Sequence, residues 1–115
     1  MTFPAIQSAF PKRRYQFGEF SVTLLTDIET HDAVSYLYIA AVLREGSHSP
    51  EVYITCESTI LDDENTCRVR VLTDNSEHII SHDPQWRQLQ NFCDYALQGI
   101  RQMFELSDES TILIS

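Results

Sequence analysis

Residues 83–106, DPQWRQLQNFCDYALQGIRQMFEL, carry the clearest secondary-structure signal in the chain. Asp83 is a residue type that caps helix N-termini, and Pro84 suits the first helical position. Apolar residues then recur at steps of three and four: Trp86, Leu89, Phe92, Cys93, Ala96, Leu97, Ile100, Met103 and Phe104. This spacing predicts an amphipathic helix over 84–106, whose apolar stripe must be buried against another element.

The sequence before this helix predicts strands. Residues 33–44, AVSYLYIAAVLR, are apolar at both odd and even positions, which predicts a central strand covered on both faces. Residues 67–72, CRVRVL, alternate, so the cysteine and valines are expected to face inward and Arg68 and Arg70 outward. Between 14 and 24 the apolar positions change phase at Gly18, which predicts either a β-bulge or two short strands.

These patterns together predict an α+β fold. It is an antiparallel five-stranded meander sheet with one long C-terminal amphipathic helix packed on one face. The 115 residues are expected to form a single domain, 1–115. Its predicted parts are an N-terminal arm at 1–12, the antiparallel sheet at 14–80, the helix at 84–106 and a tail at 107–115. Pro4 and Pro11 are the reason for predicting an arm, since proline interrupts strand pairing.

Charge and cysteine usage exclude several classes of function. The chain has 17 Asp and Glu against 8 Lys and Arg, a net charge of −9, which argues against direct nucleic-acid binding. No apolar run is long enough for a membrane span, so no membrane association is expected. Three cysteines without a CxxC pair, and an N-terminus unlike a secretory signal, predict a cytoplasmic protein.

No residue set predicts catalysis, cofactor binding or a metal site. Cys56 and Cys67 are expected on one face of adjacent strands, as a disulfide or redox pair or, as we favour, as small core residues. His78 and His82 span a strand end and a helix cap, where their spacing is poor for shared metal binding. Glu57 and the acidic loop that follows it are interpreted as solvated carboxylates.

The sequence also predicts an interaction surface, because one helix covers only one face of the sheet. The candidate interface residues are three tyrosines and an acidic cluster: Tyr36, Tyr38, Tyr53, Asp62, Asp63 and Glu64. An apolar face of that size rarely meets water on a monomer. The arm, a second copy or another partner could cover it, or the sheet could curl around an internal pocket.

The leading functional hypothesis is a non-enzymatic acidic protein–protein interaction module. It is expected to be a homodimer joined through the exposed sheet face or by exchange of terminal segments. A more specific version makes it an inhibitor, immunity-type protein or chaperone of a basic partner protein. The alternative is a small-ligand-binding domain, with a pocket between sheet and helix lined by Trp86, Phe92 and the tyrosines. An enzyme is the least favoured class.

Overall fold

The first six strands of the sheet lie in their chain order, and a short seventh strand pairs with the first. A computed structural model describes residues 3–31, 34–61, 64–104 and 112–113. The strands are β1 (Ile6–Phe17), β2 (Phe20–Thr30), β3 (Tyr36–Arg44), β4 (Val52–Leu61), β5 (Glu64–Leu72), β6 (Glu77–His82) and the short β7 (Ile112–Leu113). Each neighbouring pair is antiparallel, in the order β6-β5-β4-β3-β2-β1-β7. The predicted α+β class and antiparallel meander are confirmed.

The predicted number of strands is wrong, and Gly18 is the cause. Within the described ranges, β1 to β6 form six meander strands rather than five. Gly18 has φ 57° and lies in a two-residue turn between the paired Phe17 and Phe20, so the chain reverses there instead of bulging. A glycine with positive φ at the first position of such a turn suits the twist of a β-hairpin.

The predicted N-terminal arm is also corrected by β1. Ile6 already pairs with Thr30, so residues 6–12 belong to the sheet rather than to an arm. Pro11 is accommodated because the pairing of β1 with β2 shifts register between Pro11 and Arg13, and proline is tolerated at such irregularities. Within the predicted tail at 107–115, the structure describes Ile112 and Leu113, which pair with β1.

The C-terminal helix is confirmed, but it is shorter than predicted and interrupted. The Asp83 side chain accepts a hydrogen bond of 2.9 Å from the backbone N–H of Gln85 and so begins a 3-10 helix at Pro84–Arg87. Gln88 is extended, with φ −77° and ψ 119°, and the α-helix α1 then runs over Leu89–Met103. No helix in the described ranges has the length and apolar character needed to cross a membrane.

The helix packs on one face of the sheet, as predicted. That core contains Trp86 and the buried α1 residues Phe92, Cys93, Ala96 and Ile100. They meet alternate residues of the strands, including Phe20, Val22, Leu24, Ala40, Val42, Val52, Ile54, Cys56, Cys67 and Val69. Alternation places Ile39, Thr55 and Glu57 on the opposite face, where none of the three is exposed. We call these two surfaces the helix face and the far face.

Candidate functional site

The three candidate tyrosines do not form one patch. Tyr36 lies opposite Glu57 and Tyr38 lies opposite Cys56, because the pairing of β3 with β4 shifts register between them. Tyr36 is therefore a buried residue of the far face, whereas Tyr38 belongs to the helix face. The predicted shared face of Tyr36 and Tyr38 is corrected by this irregularity, which alternation counting could not foresee.

Tyr38 is a packing residue of the helix face. Its ring stacks on Phe92 with centroids 5.7 Å apart, and its hydroxyl donates a 2.6 Å hydrogen bond to the carbonyl oxygen of Arg87. Burial raises the pKa of the Tyr38 phenol above its ordinary value. Tyr38 thus ties β3 to the turn between the 3-10 helix and α1.

Tyr53 is partly covered on the far face by the N-terminal segment. The ring of Phe3 contacts the Tyr53 ring edge to face, with centroids 5.0 Å apart. The backbone N–H of His31 donates a 3.0 Å hydrogen bond to the carbonyl oxygen of Ala5, which holds this segment beside the end of β2. Burial raises the pKa of Tyr53 as well.

The acidic part of the predicted interface is only partly described. Asp62 and Asp63 lie outside the described residues. Glu64 begins β5 and pairs with Leu61, but its side chain is not described. The proposed role of this cluster in binding therefore stays a prediction.

A buried carboxylate at Glu57 is the strongest polar feature of the far face. Thr55 Oγ1 donates to Glu57 Oε2 at 2.7 Å, and Arg70 Nε donates to the same oxygen at 2.6 Å. Arg68 donates to Oε1 from Nε at 2.8 Å and also from Nη2. Arg70 extends the cluster to Glu77, with 3.5 Å between Nη1 and Oε2. Both carboxylate oxygens are thus occupied, which makes Glu57 a cross-link between β4 and β5.

The sequence interpretation missed this cluster. The sequence pattern predicts Glu57 as a solvated carboxylate, yet its side chain is fully buried, and Arg68 and Arg70 keep only 28% and 12% of their side-chain surface exposed. The register of β4 with β5 explains the cluster, since it places Glu57 opposite Arg68 and diagonally across from Arg70. Opposite charges at such cross-strand positions attract one another.

The three cysteines are free and buried, as the favoured interpretation expects. Cys56 and Cys67 share the helix face and their thiols interact, although Cys56 lies opposite Val69 and Cys67 opposite Ser58. The Cys56 thiol also contacts the carbonyl oxygen of Trp86 at 3.4 Å. Burial raises the pKa of Cys56 far above its ordinary value, which suppresses the reactive thiolate.

An open apolar groove lies between the second half of α1 and strands β5 and β6. Its volume is about 460 Å³. Its floor and walls are formed by Ile54, Val71, His78, Ile80, Tyr95, Ala96, Gln98, Gly99, Gln102 and Met103. A Cβ built on Gly99 would have no heavy atom within 4 Å, so the groove is open at this turn of the helix. We call this feature the β6–α1 groove.

Large hydrophobic side chains are exposed at the rim of the groove and next to it. Ile80 and Met103 line it with 43% and 40% of their surface exposed, and the neighbouring Ile79 is 53% exposed. In the described ranges, the one other large hydrophobic residue with comparable exposure is Phe10, at 54%, on β1. Two of these four residues therefore line the groove, whereas Ile79 pairs with Arg70 and faces the opposite side of β6.

Aromatic contacts close one end of the groove. The Trp86 and Tyr95 rings stack with centroids 4.3 Å apart. Trp86 Nε1 donates to Ser81 Oγ at 2.8 Å, and the Tyr95 hydroxyl donates to the carbonyl oxygen of Ile80 at 3.4 Å. These contacts fix β6 to the first half of α1, so the open space lies beside the second half.

The β6–α1 groove therefore differs from the predicted pocket between sheet and helix, both in its position and in the residues that line it. Trp86 and Phe92 are buried in the packed core and do not line the groove, and of the tyrosines Tyr95 does. His78 lines the groove, and within the described ranges no group of three or more His, Cys, Asp or Glu is arranged to hold a metal ion. The groove offers apolar contact area rather than a cluster of reactive groups.

The groove region carries little net charge. Residues 77–103 contain three acidic residues and two arginines, a net charge of −1 in a chain of −9. Most of the negative charge therefore belongs to the rest of the chain. Comparison with protein-family models, with curated proteins and with solved structures finds no match for this chain.

Proposed function

We propose that this protein is a non-enzymatic protein–protein interaction module that binds its partner at the β6–α1 groove. The observation that carries the proposal is the exposure of two large hydrophobic side chains, Ile80 and Met103, that line this groove. Exposed apolar patches on small proteins usually mark interaction sites. Met103 is also a flexible residue type that adapts well to a partner surface.

The polar groups that could take part in catalysis are better explained as structural parts of the fold. The Glu57 carboxylate is held by two arginines and a threonine, and the Cys56 thiol is buried with a raised pKa. A catalytic nucleophile or base needs access to a substrate and a suitable protonation state. These contacts support a binding role over an enzymatic one, and the free cysteines support a cytoplasmic location.

The more specific version, in which the partner is a basic protein, concerns a different surface. The residues outside 77–103 carry a net charge of −8, and they include Asp62, Asp63 and Glu64. Such a charge would speed the approach of a basic partner. Neutralising the three acidic residues should then flatten the salt dependence of binding while leaving the apolar contact at the groove intact.

A site-specific photo-crosslinking experiment tests the proposed surface. A photoreactive phenylalanine analogue replaces Gln102, which is exposed at the groove, and in a control chain it replaces Ser47, which is exposed in the turn between β3 and β4. Illumination in native cell extract should give a discrete protein adduct from position 102 and none from position 47. Equal labelling at both positions, or no adduct at position 102, would contradict the proposal.

A small-ligand-binding role is the second candidate, because the groove has the volume of a ligand site. Its 460 Å³ fall inside the range of about 300–1,000 Å³ typical of such sites. A neutral apolar dye such as Nile red should then bind with one-to-one stoichiometry, and Gly99→Leu should abolish binding by filling the open space. Dye binding that Gly99→Leu leaves unchanged would remove this candidate.

A further inference from the structure

We infer that the occupant of the β6–α1 groove is a second copy of this chain. In this dimer, Met103 of each copy enters the groove of the other beside Gly99. The inference rests on the proposed function, because it names the partner of the same surface. It follows from the distribution of charge, the shape of the groove and the irregular pairing of β6.

Charge distribution is the first reason to choose a second copy. Two chains of net charge −9 repel each other, so self-association is favoured where the surface carries least charge. Residues 77–103 have a net charge of −1, and the described residues that line the groove include no carboxylate, lysine or arginine. A basic partner would gain little electrostatic attraction here, whereas a second copy meets little repulsion.

The shape of the groove is the second reason. Gly99 leaves open space at the helix surface, and Met103 stands one turn further along α1 with an exposed, flexible side chain. A two-fold axis makes a contact reciprocal, so a residue that fits a gap on the partner also receives the partner's equivalent residue. One complementary pair on α1 is therefore used twice in such a dimer.

The irregular pairing of β6 disfavours the main alternative at this side of the molecule, which is addition of a strand to the β6 edge. The register shifts where Val69 and Arg70 pair with Ser81 and Ile79, so Ile80 is an extra residue in the middle of this edge strand. Its carbonyl oxygen accepts a hydrogen bond from Tyr95 on the helix side. Bulges of this kind disfavour edge-to-edge pairing. Side-chain packing into the groove remains as the mode of contact.

The solution mass of the full chain, measured by light scattering over a range of concentrations, tests the inference. Met103→Glu would place an uncompensated carboxylate in the contact, and we expect the dimer to weaken by on the order of 100-fold. Phe10→Glu is the matched control, because it makes the same kind of change at an exposed large hydrophobic residue on β1, away from the groove. That variant should dimerise like the original chain.

Gly99→Leu provides a second variant that should preserve the fold. A Cβ at this position meets no neighbouring atom, and leucine is a better helix former than glycine. The variant should therefore keep its circular dichroism spectrum and thermal transition while losing the dimer. Loss of both would be a folding defect, and Met103→Glu would then decide the question.

The outcomes separate this inference from the proposed function. A monomer at every concentration, a dimer that Met103→Glu leaves intact, or equal weakening by Phe10→Glu would overturn the second copy as occupant. If position 102 then crosslinks specifically to a different protein, the proposed function stands and its partner is that protein. If position 102 gives no specific adduct and the chain is monomeric, both fail.

Discussion

The two faces of the sheet are closed in different ways. On the helix face, apolar residues pack around Phe92, but the second half of α1 leaves a groove of about 460 Å³. On the far face, the buried Glu57 has every oxygen paired with Thr55, Arg68 or Arg70. A gap beside apolar residues forfeits only dispersion contacts, whereas an unpaired buried charge costs several kcal/mol. The apolar residues beside α1 can therefore leave space for a partner, whereas the buried Glu57 cluster must stay fully paired.

Truncating the centre of the helix face should give the largest effect. Phe92→Ala removes a fully buried ring that packs against Tyr38, and it should lower the free energy of unfolding by about 3–5 kcal/mol. Met103→Ala, at the exposed end of the same helix, should change it much less. Urea unfolding of the two variants measures the difference, and equal losses would contradict the contrast between packed and open halves of α1.

Removing the carboxylate of the far face should have the next largest effect. Glu57→Ala leaves Arg70, and in part Arg68, without its buried partner, so the free energy of unfolding should fall by about 3 kcal/mol. Glu19→Ala is the matched control, because Glu19 pairs with Arg44 at the surface with 54% of its side chain exposed. Comparable losses for the two variants in urea unfolding would show that the Glu57 cluster is not a structural cross-link.

The folded protein should also become less stable at alkaline pH, because of two titratable groups on the helix face. Burial raises the pKa of Tyr38 and Cys56 above their ordinary values of 10.0 and 9.0. The folded state therefore keeps protons that the unfolded state releases, so stability is intact below about pH 9 and falls as the pH rises further. Tyr38→Phe should make this fall shallower, and at neutral pH it should cost about 1 kcal/mol for the lost hydrogen bond to Arg87.

Thermal unfolding at several pH values checks the alkaline prediction. The melting temperature of the original chain should decline above about pH 9, more steeply than that of Tyr38→Phe. A melting temperature that stays constant to higher pH would contradict the burial of these groups. Identical profiles for the two chains would show that Tyr38 does not contribute to the decline.

The smallest expected effect is a gain in stability at the groove. Gly99→Ala should raise the free energy of unfolding by about 0.5–1 kcal/mol, because the site is helical and has open space for a methyl group. Gly46→Ala should have the opposite sign, since Gly46 has φ +84°. Thermal unfolding at low protein concentration, where the chain is monomeric, compares the two, and destabilisation by Gly99→Ala would contradict open space at Gly99 within one chain.

The helix and the inward faces of the strands could be predicted from the sequence because their signals are local. Asp83 and Pro84 mark the helix start, and the three- and four-residue spacing from Trp86 onward identifies the stripe that the structure buries. The alternation around Val69 likewise identifies the helix face of β5. Each of these signals depends on neighbours only a few residues away.

The remaining features depend on the register between strands and on the orientation of α1 on the sheet, which local sequence patterns do not predict. Gly18 forms a hairpin turn rather than a bulge because Phe17 pairs with Phe20. Tyr36 and Tyr38 lie on opposite faces because the pairing of β3 with β4 shifts register between them. The Glu57 cluster needs the register of β4 with β5. The groove depends on how α1 is positioned on the sheet. Its α1 residues could therefore be predicted as helical, but not as part of a binding surface.

Hydrogen–deuterium exchange at low and high protein concentration tests most directly whether the groove is the open, self-binding side of the molecule. Peptides covering 77–82 and 98–103 should exchange more slowly at high concentration, because the second copy covers them. Peptides around Phe10 and around Glu57 should show no change. Concentration-independent exchange at the groove, or new protection confined to the other regions, would contradict the account.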